Sequence, residues 1–112
     1  MTRDHNYRLR YVSGVAVVAT GRYGAGEPFS GAALLALVEQ KGSRIVFDIP
    51  SDGWIDSAVI GLLLTLHRKS VASGSRIRLV VPEGATREVF GITKLDSLFG
   101  PYWTLADALH DF

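Results

Sequence analysis

Few side chains in this chain could carry chemistry, and their spacing limits what they could do. Ser57 follows Asp56 at the head of an apolar run, Ala58 to Leu66. The histidines are His5, His67 and His110, and there is no cysteine. His67 comes ten residues after Ser57, nearly three helical turns and roughly 15 Å along a helix axis. That spacing makes no serine–histidine pair, and the residues around Ser57 lack the glycines of a nucleophile elbow. His67 reads as a boundary residue between core and solvent. No close set of metal-ligand residues is present, and without cysteine there is no thiolate site. No catalytic residue and no cofactor is expected, so the chain is read as a binding protein and not as an enzyme.

Two further patterns are weaker. Gly21 to Pro28 (GRYGAGEP) is glycine-rich, but no Lys-Ser/Thr step follows it, so it reads as a loop and not as a phosphate cradle. Loops of this kind serve as contact surfaces. Trp54, Tyr102 and Trp103 are large enough to anchor an interface or to fill a core.

The elements that must position these residues follow from periodicity. Tyr11 and Leu9 alternate with Arg8 and Arg10, a half-buried strand. Ser13-Gly14 reads as a tight turn, and Val15 to Thr20 as a more buried strand, which together make a hairpin. Ser30 is placed to cap a helix through Lys41, with Gly42 after it. Arg44 to Ile49 is a continuous apolar strand. Pro50 to Gly53 is a turn, and Asp56-Ser57 opens a helix with Ile60, Leu63, Leu64 and Val71 as its apolar face. Arg68 and Lys69 suit that helix's C-terminal end, and Gly74 closes it. Ile77 to Val81 is a buried strand, and a short helix is expected from Pro82 to about Gly91. One small strand is expected in the stretch Leu95 to Tyr102, and then a helix capped by Thr104. Strands alternating with helices imply one α/β domain over 1–112, with the helices packed on a sheet.

Composition excludes several classes. Twelve basic and 11 acidic residues leave a net charge of +1, without the basic excess that phosphate neutralisation demands of a nucleic-acid binder. The polar stretch Met1 to Arg10 has no apolar h-region, so no signal peptide is expected, and Ala58 to Leu66 is far short of a membrane span. A cytoplasmic protein without direct membrane insertion is expected.

Residues 44–67, RIVFDIPSDGWIDSAVIGLLLTLH, resemble the signature of the STAS family, the fold of anti-sigma-factor antagonists. The shared features are a strand ending in Asp48, the step Trp54-Ile55-Asp56-Ser57, and an apolar helix from Ala58. Residues 95–109, LDSLFGPYWTLADAL, resemble the usual ending of that family. The resemblance implies a central mixed sheet of four to five strands, with about four helices packed mainly on one face. It implies a bacterial regulator of transcription that works by partner switching. Its partners would be an anti-sigma factor that is also a serine kinase, and a phosphatase; a homodimer is compatible with the fold. The phospho-acceptor carried over by position is Ser57. The partner-binding residues are Trp54, Asp56, Ser57 and Ala58, with Arg22, Tyr23 and Gly24 on the neighbouring loop. Other members of the family serve in lipid-transport ABC complexes or in stress-signalling complexes as constitutive binding modules.

The physics of a helix N-terminus agrees with that role. Its first N–H groups are unpaired and carry partial positive charge, so the fold tolerates a phosphate there. A phosphate adds about −1.5 to −2 charges, which a partner's apolar or acidic pocket would reject. The plain role of Asp56-Ser57 is an N-cap, worth roughly 1 kcal/mol, and both roles are compatible. The sequence departs from the family at three places: Ala58-Val59 stand for Ser-Gly, Arg22-Tyr23-Gly24 for acidic residues, and Lys94 for Gly. The β-branched Val59 is expected to narrow a partner's approach.

Overall fold

The computed structural model of the chain describes residues 7–20, 27–49, 57–81, 99 and 102–112. Strands β1 (Tyr7–Val12) and β2 (Val15–Thr20) form an antiparallel hairpin with Val12 opposite Val15. Ser13 and Gly14 make the two-residue turn, both with positive φ (51° and 80°). That is the type I′ geometry that matches the twist of a hairpin, and glycine suits its second position. A short strand β3 (Glu27–Phe29) pairs antiparallel with β1. It replaces the end of the loop expected over Gly21 to Pro28. Pro28 is tolerated because β3 is an edge strand, where a missing N–H need not break a ladder.

Helix α1 (Gly31–Val38) is capped by Ser30, whose Oγ accepts from the Ala33 N–H at 3.1 Å. It stops three residues short of the expected Lys41. Its last carbonyls are taken by hydroxyls: Ser43 donates to the Leu37 carbonyl, and Ser73 and Ser75 both donate to that of Val38. Gly42 lies beyond, in a separate turn with φ 80°. Strand β4 (Arg44–Asp48) runs parallel to β2, and β5 (Arg76–Val80) parallel to β4. Between them lies α2 (Ser57–Ser73), closed by Gly74 at φ 78°. Tyr102 adds an isolated parallel bridge to Val80, the small strand expected before the last helix. Thr104 caps α3 (Leu105–Leu109) by accepting from the Asp107 N–H.

The sheet is mixed and five-stranded, in the order β3-β1-β2-β4-β5. Strands β2, β4 and β5 advance across it in one direction, so crossovers of one hand place α1 and α2 on the same face. There Leu34 and Val38 of α1, and Val59, Leu63 and Leu66 of α2, close over Ala16, Val18, Ile45, Phe47 and Leu79. Alternation sends Val15, Val17, Val46 and Val80 to the other face, where Ala108 of α3 covers them. Two of the three described helices thus share one face, as expected, and the third lies opposite. The helix expected from Pro82 to about Gly91 and the Lys94 position lie outside the described residues.

Candidate functional site: the head and outer face of helix α2

Helix α2 begins beyond the carboxyl end of β4, the end of parallel strands where α/β sheets place their sites. Ser57 is its first residue, so position 57 lies in the first helical turn. The helix has two seams of alternating four- and three-residue spacing. The inner one is Val59, Leu63, Leu66 and Ser70, all buried. The outer one runs from position 57 through Gly61, Leu64, Arg68 and Val71, and every one of these after 57 is exposed. At 3.6 residues per turn they form one line along the helix.

This corrects the expected apolar face. Leu63 is fully buried and Ile60 is packed at the edge of the core, but Leu64 is 38 % exposed and Val71 73 %. The inner seam instead uses Val59, Leu66 and Ser70. Ser70 can sit inside because its hydroxyl donates to the His67 carbonyl at 2.7 Å. Val59 also answers the question of the missing glycine. Its side chain is buried in the main core and adds nothing to the outer surface of the helix.

The helix is fixed at its far end. Ser73, in its last turn, donates to the Val38 carbonyl at 2.7 Å, and Lys69 pairs with Glu39 at 2.6 Å. The ion pair is exposed and holds little energy. The serine bond and the apolar seam are what set the helix against α1.

Asp48 ends β4 on the face opposite the main core, by alternation with Phe47. Burial raises its carboxyl above the ordinary range, and the Arg10 guanidinium beside it opposes that shift. An acid raised in the folded state binds its proton more tightly there than in the unfolded chain. Its ionisation therefore works against folding, increasingly as pH rises from the unfolded value through the folded one. Asp48→Asn is expected to gain stability relative to the native chain as pH rises from about 4 to 7. Urea midpoints at several pH values check this, and a gap that narrows with rising pH contradicts it.

The remaining candidates separate clearly. His67 is half-buried, edge-on to the Phe99 ring at 5.5 Å, the boundary position expected of it. His110 is exposed beside Asp111. Tyr102 packs on the second core, and Trp103 is 51 % exposed. Ala58 is the second residue of α2. Trp54, Asp56, Arg22, Tyr23, Gly24 and His5 lie outside the described residues.

One residue that sequence reasoning missed is Arg78. Its guanidinium donates to the carbonyls of Ala108, His110 and Asp111 and lies 4.4 Å from the Phe112 ring centroid. It thereby holds α3 and the last residues on the sheet. The signal was the alternation Arg76-Ile77-Arg78-Leu79, which marks one face of β5 as cationic.

A mixed sheet extends from a hairpin, and a helix starts at Ser57 after its parallel strand β4. The family model for the STAS domain matches residues 29–111. The chain belongs to the STAS domain family. The match takes in α1, β4, α2, β5 and α3, so the STAS assignment covers both the site and the elements that hold it. Comparison with curated proteins returns no match. Among the described residues of this STAS domain, no helix is long and apolar enough to cross a membrane.

Proposed function

We propose that this STAS domain is an anti-sigma-factor antagonist of the bacterial cytoplasm, switched by phosphorylation of Ser57. The unmodified protein binds an anti-sigma factor that is also a serine kinase, and so frees a sigma factor. The phosphorylated protein releases it. The observation that carries the reading is the place of position 57: the first residue of α2, at the head of its exposed seam. A charge added at the first residue of this helix lies beyond the carboxyl end of β4, the end of the sheet where a docking partner would meet it. The helix N-terminus also offers unpaired N–H groups and a favourable dipole, so the modification costs the fold little. Such a protein needs no catalytic residue, metal or cofactor of its own.

Arg22-Tyr23-Gly24, standing where acidic residues are usual, favours a second reading. In it the domain is a constitutive binding subunit of a lipid-transport ABC complex or a stress-signalling complex. A paired pull-down from source cells, with native and Ser57→Asp baits, separates the two. The first reading expects the native bait to capture an ATP-binding kinase and the Asp bait to lose it. Equal capture of one partner by both baits removes the switch.

A further inference from the structure

The outer seam of α2 extends well beyond the switch position. From 57 to 71 it runs roughly 21 Å, long enough to carry about four turns of another helix. Its four- and three-residue spacing is that of helix-on-helix seams. Two features of it have no use inside the fold.

The first is Gly61. A Cβ built there meets nothing within 4 Å, and the residue has ordinary helical backbone. Glycine in the middle of a helix is less favourable than alanine by roughly 0.5–1 kcal/mol. Among the described residues, neither packing nor backbone conformation calls for it. A flat place on a helix is of use where another backbone approaches closely.

The second is the order Leu64, Arg68, Val71. Two exposed apolar side chains flank a cation, and no carboxylate lies on the seam. Among the described residues Arg68 has no acidic partner, whereas its neighbour Lys69 is paired with Glu39. The complement of this surface is a carboxylate between two apolar groups. The same helix of a second copy supplies no such complement, since α2 carries no carboxylate. An antiparallel pair of α2 helices centred on Leu66 would face Val71 with Gly61 and Arg68 with Leu64, and would leave both guanidinium groups without a carboxylate.

We infer that the seam Gly61–Leu64–Arg68–Val71 docks an amphipathic helix of a partner protein, with a carboxylate of that helix on Arg68 and its backbone closest at Gly61. The inference rests on the reading of α2 as the binding face. It adds what the partner must present, and it moves most of the contact away from Ser57.

The test uses the full chain with Ser57 unaltered. A photo-crosslinking phenylalanine at position 71 captures the partner in source cells, and mass spectrometry maps the joined segment. The inference expects an acidic amphipathic helical segment. Arg68→Glu then weakens binding of the purified partner about tenfold, and reversing the mapped carboxylate to lysine restores it to within about threefold. Gly61→Ala raises the melting temperature by a few degrees and yet weakens binding. Cross-linking to a second copy, to a basic or non-helical segment, or to nothing overturns the inference. So does Gly61→Ala that stabilises the fold and leaves affinity unchanged, or Arg68→Glu without effect. If these variants weaken binding while Ser57→Asp does not, the seam stands and the switch falls.

Discussion

Leu63→Ala will cost about 2–5 kcal/mol of folding stability, while Leu64→Ala, one residue on, will cost about 1 kcal/mol or less. Leu63 is fully buried in the main core, which also holds Leu34, Val38, Phe47 and Leu79. Removing its isopropyl group loses transfer energy and leaves a cavity that the surrounding helices and strands cannot collapse together to fill. Leu64 is on the outer seam, 38 % exposed, and gives up only the contacts of its covered part, with no closed cavity left behind. Guanidinium unfolding of the two variants measures the difference. Equal losses would mean that the helix is rotated from the orientation described, and the outer seam would then not exist as a surface.

Arg78→Ala will lower stability by about 2–4 kcal/mol and loosen the C-terminal helix before the rest of the fold. Arg78 donates from Nη1 to the Ala108 and His110 carbonyls at 3.0 and 2.8 Å, and from Nη2 to that of Asp111 at 3.3 Å. A cation at these carbonyls satisfies groups that end a helix without partners and opposes its dipole. The same guanidinium lies over the rings of Phe112 and Tyr102, at 4.4 and 5.3 Å from their centroids. Arg44 and Arg76 add a bond to the Phe112 carbonyl and a further ring contact. Arg78→Lys is expected to recover less than half of the loss, because an ammonium cannot reproduce a planar fork that serves three carbonyls and two rings. Hydrogen exchange of α3 amides should accelerate in both variants, with α2 amides following only as global stability falls. Unchanged protection in α3 would show that its apolar contacts with Val46 and Val80 suffice to hold it.

The hairpin, β4, β5 and the starts of all three helices could be read because local chemistry decides them. Ser13-Gly14 can close a two-residue turn, Ser30 and Thr104 cap the next residues, and Gly74 ends α2 with positive φ. The end of α1 could not be read in the same way. Its carbonyls are met by Ser73 and Ser75, more than thirty residues away. The inner face of α2 was misread because Ile60 to Leu64 is apolar almost all round and fits either seam. Arg68, in line with Gly61 and Leu64, was the mark of the outer one. Strand β3 was hidden by Pro28, which argues against a strand everywhere except at an edge.

For the site, the position of Ser57 was legible from the strand–loop–helix order, and the structure adds the direction of the helix face below it. It also changes the weight of one departure from the family pattern. Val59 had seemed an obstacle to a partner, and its burial makes it part of the core. The loop residues Arg22, Tyr23 and Gly24 keep their role as an expectation that rests on resemblance.

The central claim is that a phosphate on Ser57 controls docking at α2. It is tested most directly by measuring the affinity of the captured kinase for the purified protein before and after modification, with the phosphate mapped by mass spectrometry. The account predicts a single phosphate at Ser57 and a loss of affinity of about 100-fold or more, with the melting temperature nearly unchanged. A phosphate mapped elsewhere, or full affinity with Ser57 modified, would contradict it.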